Sequence, residues 1–474
     1  MKKWKKRSLT LLLVIVCIMP TISCAAPGKT DVQVDEQMSK GENKPMEENK
    51  KEDIHSVAVQ LTKAQYPEMA KYPEPDGSMA EEAYQDAYQA WRTSVAARIP
   101  KDEEYKNGIR EFYEITMQEF LQDTEGKNKV YSPLNVYMAL AMLAETTDGS
   151  SRQQLLDLLG AKSIEELRNN AGILWNANYC DDGTVTSLLA SSVWLNDTVD
   201  YNADTLQTLA DNYYASSFSG TMGSAEYNKM LQDWLNEQTG GLLEEQASNL
   251  QMDPFTVLGL ATTVYFRAKW ANEFNEANNT EEIFHTPSGE VTAEFMHQSR
   301  SDMYYWGENF SAISRKLKNS GEMLLILPDE DVTAESLLYD QEVLDFLQTG
   351  SSWENNKFLI VNQSVPKFDV VSDYSIIEGL KKLGITDVFD GAKADFSPLT
   401  TDTEVAVDKA THAARVMIDE EGCIAAAFTV MNAATAARPP EEQVDFVLDR
   451  PFLFVIKGQD SQPLFIGIVN QPKQ

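Results

Sequence analysis

The side chains that could make this chain a catalyst are few and widely spaced. Histidine is the commonest general base near neutral pH, and the four histidines are His55, His285, His297 and His412. The sequence has no G-x-S-x-G turn, no H-E-x-x-H helix and no phosphate-binding glycine loop. A hydroxyl or thiol nucleophile needs a positioned base, and the spacing locates none. The residues alone therefore give little support to an enzyme.

Charge and cysteine content exclude other classes of protein. The chain carries 73 acidic and 40 basic residues, a formal net charge of −33, which argues against nucleic acid as a partner. Of the four cysteines, Cys17 and Cys24 lie near the N-terminus, and only Cys180 and Cys423 fall in the body of the chain. Two cysteines make neither a disulfide framework nor a zinc site, so the core depends on apolar burial.

One segment has a composition that needs its own explanation. Cys423–Ala437 is fifteen residues without a charge, in a chain that is 24% charged. Glu420, Glu421 and Gly422 precede it, and Arg438 follows it. A buried strand usually carries larger side chains, and a flexible linker carries more polar ones.

The segment alternates as a strand would, because successive side chains of a strand point to opposite faces. Counted from Gly422, the inward set is Cys423, Ala425, Ala427, Thr429, Met431 and Ala433, and the outward set is Ile424, Ala426, Phe428, Val430 and Asn432. All inward residues except Met431 are small, and no proline interrupts the chain before Ala436. A charge at an inward position would be unfavourable once buried. We interpret the segment as a strand held in reserve for a sheet that has little room.

Residues 1–23 have the pattern of a signal peptide. A basic head precedes the apolar run Leu9–Met19, which is too short to cross a membrane as a helix. The head consists of Lys2, Lys3, Lys5, Lys6 and Arg7. The run ends in a stretch that resembles the lipobox of bacterial lipoproteins and would place a lipid on Cys24, although Thr21 stands where an aliphatic residue is usual. We expect an extracellular, cell-surface lipoprotein anchored to the membrane through Cys24, with free secretion after cleavage near Cys24 as the alternative.

Composition also suggests the domain boundaries. Residues 24–54 are rich in lysine, glutamate and asparagine and have no aromatic residue, which predicts a disordered tether. Residues 55–104 predict an N-terminal extension that packs on a main domain, 105–474. In that domain helical periods dominate to about Glu245 and strand patterns follow, without regular βαβ alternation, which indicates an α+β fold.

Local signals in the main domain predict individual element ends. Ser163 and Glu166 have the spacing of a helix capping box. The last strand pattern contains a hairpin that turns near Gly458–Ser461.

Six blocks of the chain resemble, in the same order, segments of the serpin family. They are NKVYSPLNVYMALAML, LATTVYFRAKWANEFNEANNTEEIFHTPSG, VPKFDVVSDYSIIEGLKKLGITDVF, ADFSPL, VDKATHAARVMIDEEG, and DRPFLFVI with PLFIGIVNQP. The resemblance covers roughly 105–472. It implies the serpin fold, with three β-sheets, eight to nine helices and an exposed reactive-centre loop at about 420–440.

The resemblance also implies a role for the reserve strand. In serpins a target serine protease cleaves the loop, forms an acyl-enzyme, and is trapped when the loop inserts as an extra strand into the central sheet. The resemblance therefore implies that the chain is not an enzyme and uses neither a metal nor a cofactor. The family's spacing from the hinge glycine implies cleavage between Ala436 and Ala437, which suits an elastase-like or subtilisin-like protease. The alternatives are cleavage after Arg438 by a trypsin-like enzyme, disfavoured because Pro439 follows, or cleavage after Thr435 or Ala434 if the register differs.

Individual residues match three functional regions of the family. The hinge residues are Glu420, Glu421, Gly422, Cys423, Ala425, Ala426 and Ala427. The "shutter" residues, where strands separate to admit the loop, are Ser132, Pro133, Asn135 and His412. Trp270 matches the "breach" tryptophan at the top of the sheet.

Three positions depart from the family's pattern. Thr262 stands where serpins usually have asparagine, Cys423 where threonine or serine is usual, and Phe428 where an alanine-like residue is usual. The last two fit the alternation, so we expect a monomeric inhibitor that forms a covalent complex with a serine protease. The alternative is a non-inhibitory serpin whose loop serves as a binding module.

Overall fold

The fold is seen in a computed structural model of the chain, which describes residues 9–18, 58–73, 79–100, 105–423 and 440–472. The α-helices of this part are α1 (Glu81–Arg98), α2 (Tyr105–Leu121), α3 (Pro133–Glu145), α4 (Gly149–Leu158), α5 (Ile164–Asn178), α6 (Ala203–Tyr213), α7 (Ala225–Gln238), α8 (Glu244–Ser248), α9 (Gln341–Thr349) and α10 (Ile377–Lys382). Four single-turn 3₁₀ helices are Glu276–Asn278, Ser336–Tyr339, Gly350–Ser352 and Asp387–Phe389. None of the helices among these residues is long and apolar enough to cross a bilayer.

The strands are divided between two hydrogen-bonded networks. They are β1 (Leu9–Ile18), β2 (Ala58–Thr62), β3 (Lys129–Tyr131), β4 (Cys180–Asp181), β5 (Thr186–Asn196), β6 (Ala215–Gly220), β7 (Thr256–Lys269), β8 (Thr280–Thr286), β9 (Gly289–Trp306), β10 (Phe310–Lys316), β11 (Glu322–Pro328), β12 (Asn356–Pro366), β13 (Phe368–Ser375), β14 (Val405–Ile418), β15 (Gly422–Cys423), β16 (Gln443–Val447), β17 (Phe452–Lys457) and β18 (Pro463–Val469).

The first network is the central sheet, with strand order β13-β14-β1-β7-β5-β6-β2. The short strands β15 and β4 pair with β7 and β5 at one end of it. We call this end, where Lys269 of β7 pairs with Gly422, the hinge end. The opposite end, where β7 begins at Thr256 and β6 ends at Gly220, is the far end.

The second network contains the other two sheets, joined by the long strands β9 and β12. One sheet is formed by β8, most of β9, β12 and β16, and the other by the last residues of β9 with β10, β11, β17, β18 and β3. The prediction of an α+β fold with three sheets is therefore confirmed. Within the described part of 105–472, nine α-helices accompany these sheets, as predicted.

Helix α3 forms the centre of the core because its sequence is apolar all round. All its residues are buried, and it contacts both β7 and β18. Ser132 caps its N-terminus by accepting a hydrogen bond from the Asn135 N–H, and Pro133 occupies the first helical position, where no donor is lost.

The local predictions of element ends agree with the structure. Ser163 Oγ accepts from the Glu166 N–H at 3.2 Å, and the Glu166 carboxylate accepts in return from the Lys162 N–H at 3.1 Å. The hairpin between β17 and β18 turns where predicted, with the Gly458 N–H bonded to the Gln462 carbonyl at 2.9 Å.

Helices dominate the region up to about Glu245, as expected, but strands β3, β4, β5 and β6 also lie within it. Strand β5 is buried on both faces along most of its length, and helices α5 and α7 contact it. It therefore shows no period-2 pattern of polar residues. Strand β6 reads ASSFSG, and its small polar residues resemble a loop in composition.

The N-terminal extension crosses the edge of the central sheet and packs on it. Strand β2 pairs antiparallel with β6 and becomes the new edge strand. Helix α1 buries one side chain, Trp91, whose indole N–H donates to the Asp182 carboxylate at 3.0 Å. Asp182 is itself buried, and its other oxygen accepts from the backbone N–H groups of Thr184 and Val185. The extension is thereby fastened to the turn that leads into β5.

We predict that removing the Trp91 side chain destabilises the folded chain measurably. Trp91→Ala should lower the free energy of unfolding by about 3 kcal/mol through lost burial. Trp91→Phe should lower it by about 1 kcal/mol, because it keeps the ring but leaves an Asp182 oxygen unpaired. The measurement is the thermal midpoint of the chain 24–474, with exposed Gln89→Ala on the same helix as the control. An unchanged midpoint for Trp91→Ala would show that the extension is not part of the folded unit.

Candidate functional site

The central sheet contains a slot one strand wide between β7 and β14. These two strands run parallel to each other, and β1 lies between them, paired with β14 over its whole length and with β7 from Thr10 to Ile18. The residues that fill the slot, Leu9–Ile18, belong to the apolar run predicted to be removed with the signal peptide. A chain that lacks residues 1–23 would have nothing from this segment in the slot.

A second strand already enters the same region from the hinge end. Strand β15 pairs antiparallel with the last residues of β7, Gly422 with Lys269 and Cys423 with Ala268. Gly422 has φ +139°, and a Cβ there would lie 2.6 Å from the Trp270 nitrogen. Only glycine fits this conformation and this close approach.

Trp270, the predicted breach residue, fastens the chain just before the loop. Its backbone N–H donates to the Glu421 carbonyl at 3.0 Å, and its indole N–H donates to the Asp419 carbonyl at 2.9 Å. The Asp419 carboxylate in turn accepts from the N–H groups of Glu421 and Gly422. Although these bonds favour the carboxylate, burial raises the pKa of Asp419.

An ion-pair cluster holds Glu420 at the start of the hinge. The Lys367 ammonium lies 2.6 Å from the Glu420 carboxylate and 3.0 Å from that of Glu294, and the Asn279 amide donates to both acids. Burial alone would lower the pKa of Lys367, but its hydrogen bonds to the two glutamates raise it. Replacing Glu420 would leave a half-buried ammonium with one acidic partner instead of two.

Arg315 supports Trp270 from within the protein. Its guanidinium lies 4.0 Å from the centre of the Phe274 ring and 5.2 Å from that of Trp270. It donates to the side-chain oxygens of Gln298 and Gln363, and burial lowers its pKa to about 9. The tryptophan therefore rests on a charged group that is satisfied by neutral acceptors.

The predicted shutter residues meet beneath the middle of the slot. His412 of β14 is fully buried, and its Nε2 accepts from the Ser132 N–H at 3.2 Å. The Asn135 side-chain amide donates to the Thr262 backbone carbonyl on β7 at 3.3 Å. The residues at the start of α3 thus contact both strands that border the slot.

The side chain of Thr262, which stands where serpins usually have asparagine, takes no part in this link between α3 and β7. Its hydroxyl is buried and has no hydrogen-bond partner among the described residues, and the same holds for His412 Nδ1. The link from α3 to β7 runs through a backbone carbonyl instead. Burial lowers the pKa of His412 to about 3, so the ring is neutral at physiological pH.

Several predicted site residues lie outside the described part of the chain. These are Cys24, Ala425, Ala426, Ala427, Ala436 and Ala437. Sequence reasoning missed Lys367, Asn279 and Arg315, although Lys367 and Asn279 stand in the quoted blocks and Lys367 lies between a proline and a phenylalanine. No cluster of three or more potential metal ligands occurs among the described residues.

A central sheet with a strand-wide slot and a strand entering it from a glycine hinge defines a class of protein that can take up part of its own chain. The family model "Serpin (serine protease inhibitor)" matches residues 108–472. The leukocyte elastase inhibitor of Homo sapiens is 28% identical over 356 residues, covering 73% of this chain and 93% of that protein. Serpin-Z2B of Oryza sativa subsp. japonica is 28% identical over 385 residues, covering 74% and 93%. The chain belongs to the serpin family.

Solved structures agree with this assignment. The thermophilic serpin tengpin in its native state has a TM-score of 0.69 and 26% identity, covering 78% of this chain and 95% of that one. The native stressed conformation of Arabidopsis AtSerpin1 has a TM-score of 0.67 at 22% identity and supports the fold alone. Serpins inhibit serine proteases and are not enzymes, so the expectation of a non-catalytic protein that binds a serine protease is confirmed.

We predict that His412 makes the stability of the chain depend on pH in the mildly acidic range. The folded pKa of about 3 lies below the ordinary value of 6.5, so below pH 6.5 the unfolded chain takes up a proton that the folded chain does not. Stability contributed by the neutral ring is present above pH 6.5 and is lost as the pH falls. Between pH 7 and pH 5 this loss amounts to about 2 kcal/mol.

The measurement is urea unfolding of the chain 24–474 at pH 7, 6 and 5, compared with His412→Gln. The variant cannot take up this proton, so its stability should fall less steeply over the same range. Equal slopes for the two chains would show that His412 does not stay neutral in the folded state.

Proposed function

We propose that the chain is a suicide inhibitor of elastase-like or subtilisin-like serine proteases, cleaved between Ala436 and Ala437. The protease serine attacks the Ala436 carbonyl carbon, the bond to the Ala437 nitrogen breaks, and the amine leaves with a proton from the protease's own base. The ester that remains joins the two proteins. The observation that carries the proposal is the antiparallel pairing of β15 at the hinge end of β7, in line with the slot.

The length of β7 supports insertion of the whole loop. Continuing the register of Gly422 with Lys269, one residue for one residue, would bring Thr435 opposite Thr256. Thr256 is the first of the 14 residues of β7, so the inserted segment would match the strand over its full length. Ala436 would then emerge at the far end, immediately beyond the strand.

The same register supports the assignment of faces. Directly opposed residues of an antiparallel pair point to the same side of the sheet. Cys423, Ala425 and Ala427 would stand opposite Ala268, Phe266 and Val264, whose side chains belong to the main core. The small inward residues would therefore face a core that is already filled by β7, where large side chains have little space.

The slot also supports an order of events. In the full-length chain Ile18 pairs with Tyr265, only three residues from the point where β15 ends. An inserting loop would meet β1 after Cys423, so insertion requires that Leu9–Ile18 leave the slot. The proposed removal of residues 1–23 accomplishes this.

The target class rests on the residues at the proposed bond and on the named relatives. Alanine fills only a shallow specificity pocket, and the human relative is named a leukocyte elastase inhibitor. The positive charge of Arg438 would suit the specificity pocket of a trypsin-like enzyme, but the bond to Pro439 is a poor substrate because proline follows the cut. We further propose that the mature protein is an extracellular monomer anchored by a lipid on Cys24.

The test of function mixes the chain 24–474 with pancreatic elastase and follows the products by denaturing gel and intact mass. We expect a complex that survives denaturation and a released peptide that begins at Ala437. A peptide that begins at Pro439, with trypsin in parallel, would move the bond to Arg438. Cleavage without a stable complex, by elastase, subtilisin and trypsin alike, would contradict inhibition and favour the binding-module alternative.

We predict that the alternation of faces decides whether cleavage leads to trapping. Thr429→Arg places a charge at an inward position, opposite Thr262, so insertion should stall and the chain should be cleaved as a substrate. Ala426→Arg places the same charge at an outward position, opposite the partly exposed Tyr265, and should leave trapping nearly unchanged. The number of inhibitor molecules consumed per elastase inactivated should rise about tenfold or more for the first variant only, since burying an unpaired charge disfavours the inserted state by several kcal/mol. Equal values for the two variants would contradict the register.

A further inference from the structure

We propose that the N-terminal extension directs the tether to the far end of the central sheet, so that the length of the tether determines whether a membrane-anchored molecule can trap a protease. This inference rests on the proposed function and on an anchor at residue 24. Its basis is that the extension starts, and the cleaved loop would finish, at the same end of the molecule.

The tether joins the folded protein at the far end. Ala58, the first residue of β2, pairs with Gly220 at the last position of β6. Strand β6 runs parallel to β5, whose Leu195 pairs with Leu258 near the beginning of β7. The hinge at Gly422 lies at the opposite end of β7, and 14 residues of strand correspond to about 45 Å.

The extension is fastened along the whole edge of the sheet, so this attachment point is fixed. The Ala64 N–H donates to Ser216 Oγ at 3.1 Å, and the Tyr66 ring stacks on Trp175 with centroids 5.7 Å apart. The Tyr72 N–H then donates to the carbonyl of Asp182, next to Asp181, which pairs with Thr186 at the hinge end. Residues 58–72 therefore run from the far end to the hinge end.

Without the extension, the chain would enter the domain near the hinge end. Lys106, in the first turn of α2, lines a cavity of about 350 Å³ together with Glu322 of β11 and Lys457 of β17. The turn that precedes β11 is joined to the hinge end of β7, because the Lys318 N–H donates to the Lys269 carbonyl at 2.7 Å. The extension thus places the point where the tether joins the folded protein at the far end, one strand length away from the hinge.

The cleaved loop would carry its protease to the end where the tether enters. Ala436 would stand beside Phe255, which is 48% exposed. The preceding residue, Pro254, lies against Gly223, where a Cβ would come within 2.5 Å of the proline ring, and Gly223 follows β6 by three residues. The covalent bond to the protease and the start of β2 would therefore be close neighbours.

This placement has two consequences for an anchored molecule. Before cleavage the loop begins at the hinge end, which is the end of the sheet farther from the tether and the membrane. After insertion the protease lies on the membrane side, and the tether must leave space for it. A protease of about 240 residues has a radius of gyration near 18 Å and is roughly 45 Å across.

The natural tether is long enough for this, and a short one is not. The chain from residue 24 to residue 57, the last before β2, has 34 residues and can extend to about 110 Å at most. Deleting residues 28–52 leaves nine residues, which reach about 30 Å when fully extended. The shortened tether cannot span a protease, whereas access to the loop is unchanged.

The experiment compares the chain 24–474 with its 28–52 deletion, each carrying Cys24→Ala and an N-terminal hexahistidine tag. Both are bound to phosphatidylcholine vesicles that contain a nickel-chelating lipid, and each is also measured free in solution. Pancreatic elastase is the probe, and the readout is the number of inhibitor molecules consumed per elastase inactivated. On vesicles we expect this number to rise by about threefold or more for the short tether, because the nine residues are shorter than the protease is wide. In solution the two chains should be equal.

The outcomes separate this inference from the proposed function. Equal trapping by the two tethers on vesicles, with trapping intact in solution, would overturn the inference and leave the function standing. Failure of both chains to trap elastase in solution would overturn the function and the inference with it. A loss of trapping by the short tether in solution as well would also overturn the inference, because the membrane would then play no part.

Discussion

The structure depends on one separation, that of β7 from β14 by the width of a strand. Two parallel strands at this distance each leave a row of backbone N–H and C=O groups that need a partner, and each such group is unfavourable if it is buried alone. In the full-length chain β1 supplies the partners. Every other feature of the site either holds the two strands at this separation or feeds a strand into the space. The residues at the start of α3 contact both borders, and the Trp270 bonds hold the hinge at one end.

Much of this could be predicted, and the exceptions have physical causes. Strands β7 and β14 and the last hairpin are long and apolar, so their strand patterns are clear in the sequence. Strand β5 was missed because it is buried on both faces, and strand β6 because it consists mostly of small polar residues. Neither strand alternates between apolar and polar side chains. The pairing of β2 with β6 was not predictable either, since a short edge strand is defined by the partner that it finds and not by its own five residues.

The candidate site shows the same division. The hinge glycine and the shutter residues follow from the resemblance, because their types are tied to their positions. The residues that support them do not, because they come from separate strands and from the loops between strands. Lys367 precedes β13, Glu294 lies in β9 and Glu420 follows β14, so the cluster that holds the hinge exists only after folding. Thr262 illustrates the limit of transfer by type: its hydroxyl is left without a partner in the described residues, and the contact to α3 is made by its backbone.

The two strands that can occupy the slot differ in direction, and this difference gives them different roles. The loop would enter from the hinge end and run antiparallel to β7. It would pair residue by residue from Cys423 onward, because Trp270 already holds the chain just before Gly422. Strand β1 runs parallel to β7 and is not held next to the slot by a hinge. The described chain resumes 40 residues after Ile18, at Ala58, at the far end of the sheet. A strand that starts from a fixed hinge loses less entropy on pairing than one closed by a long connection. In a chain that lacks residues 1–23, as we propose for the mature protein, these constraints favour the loop as the occupant of the slot, and the small inward residues of 423–433 suit that role.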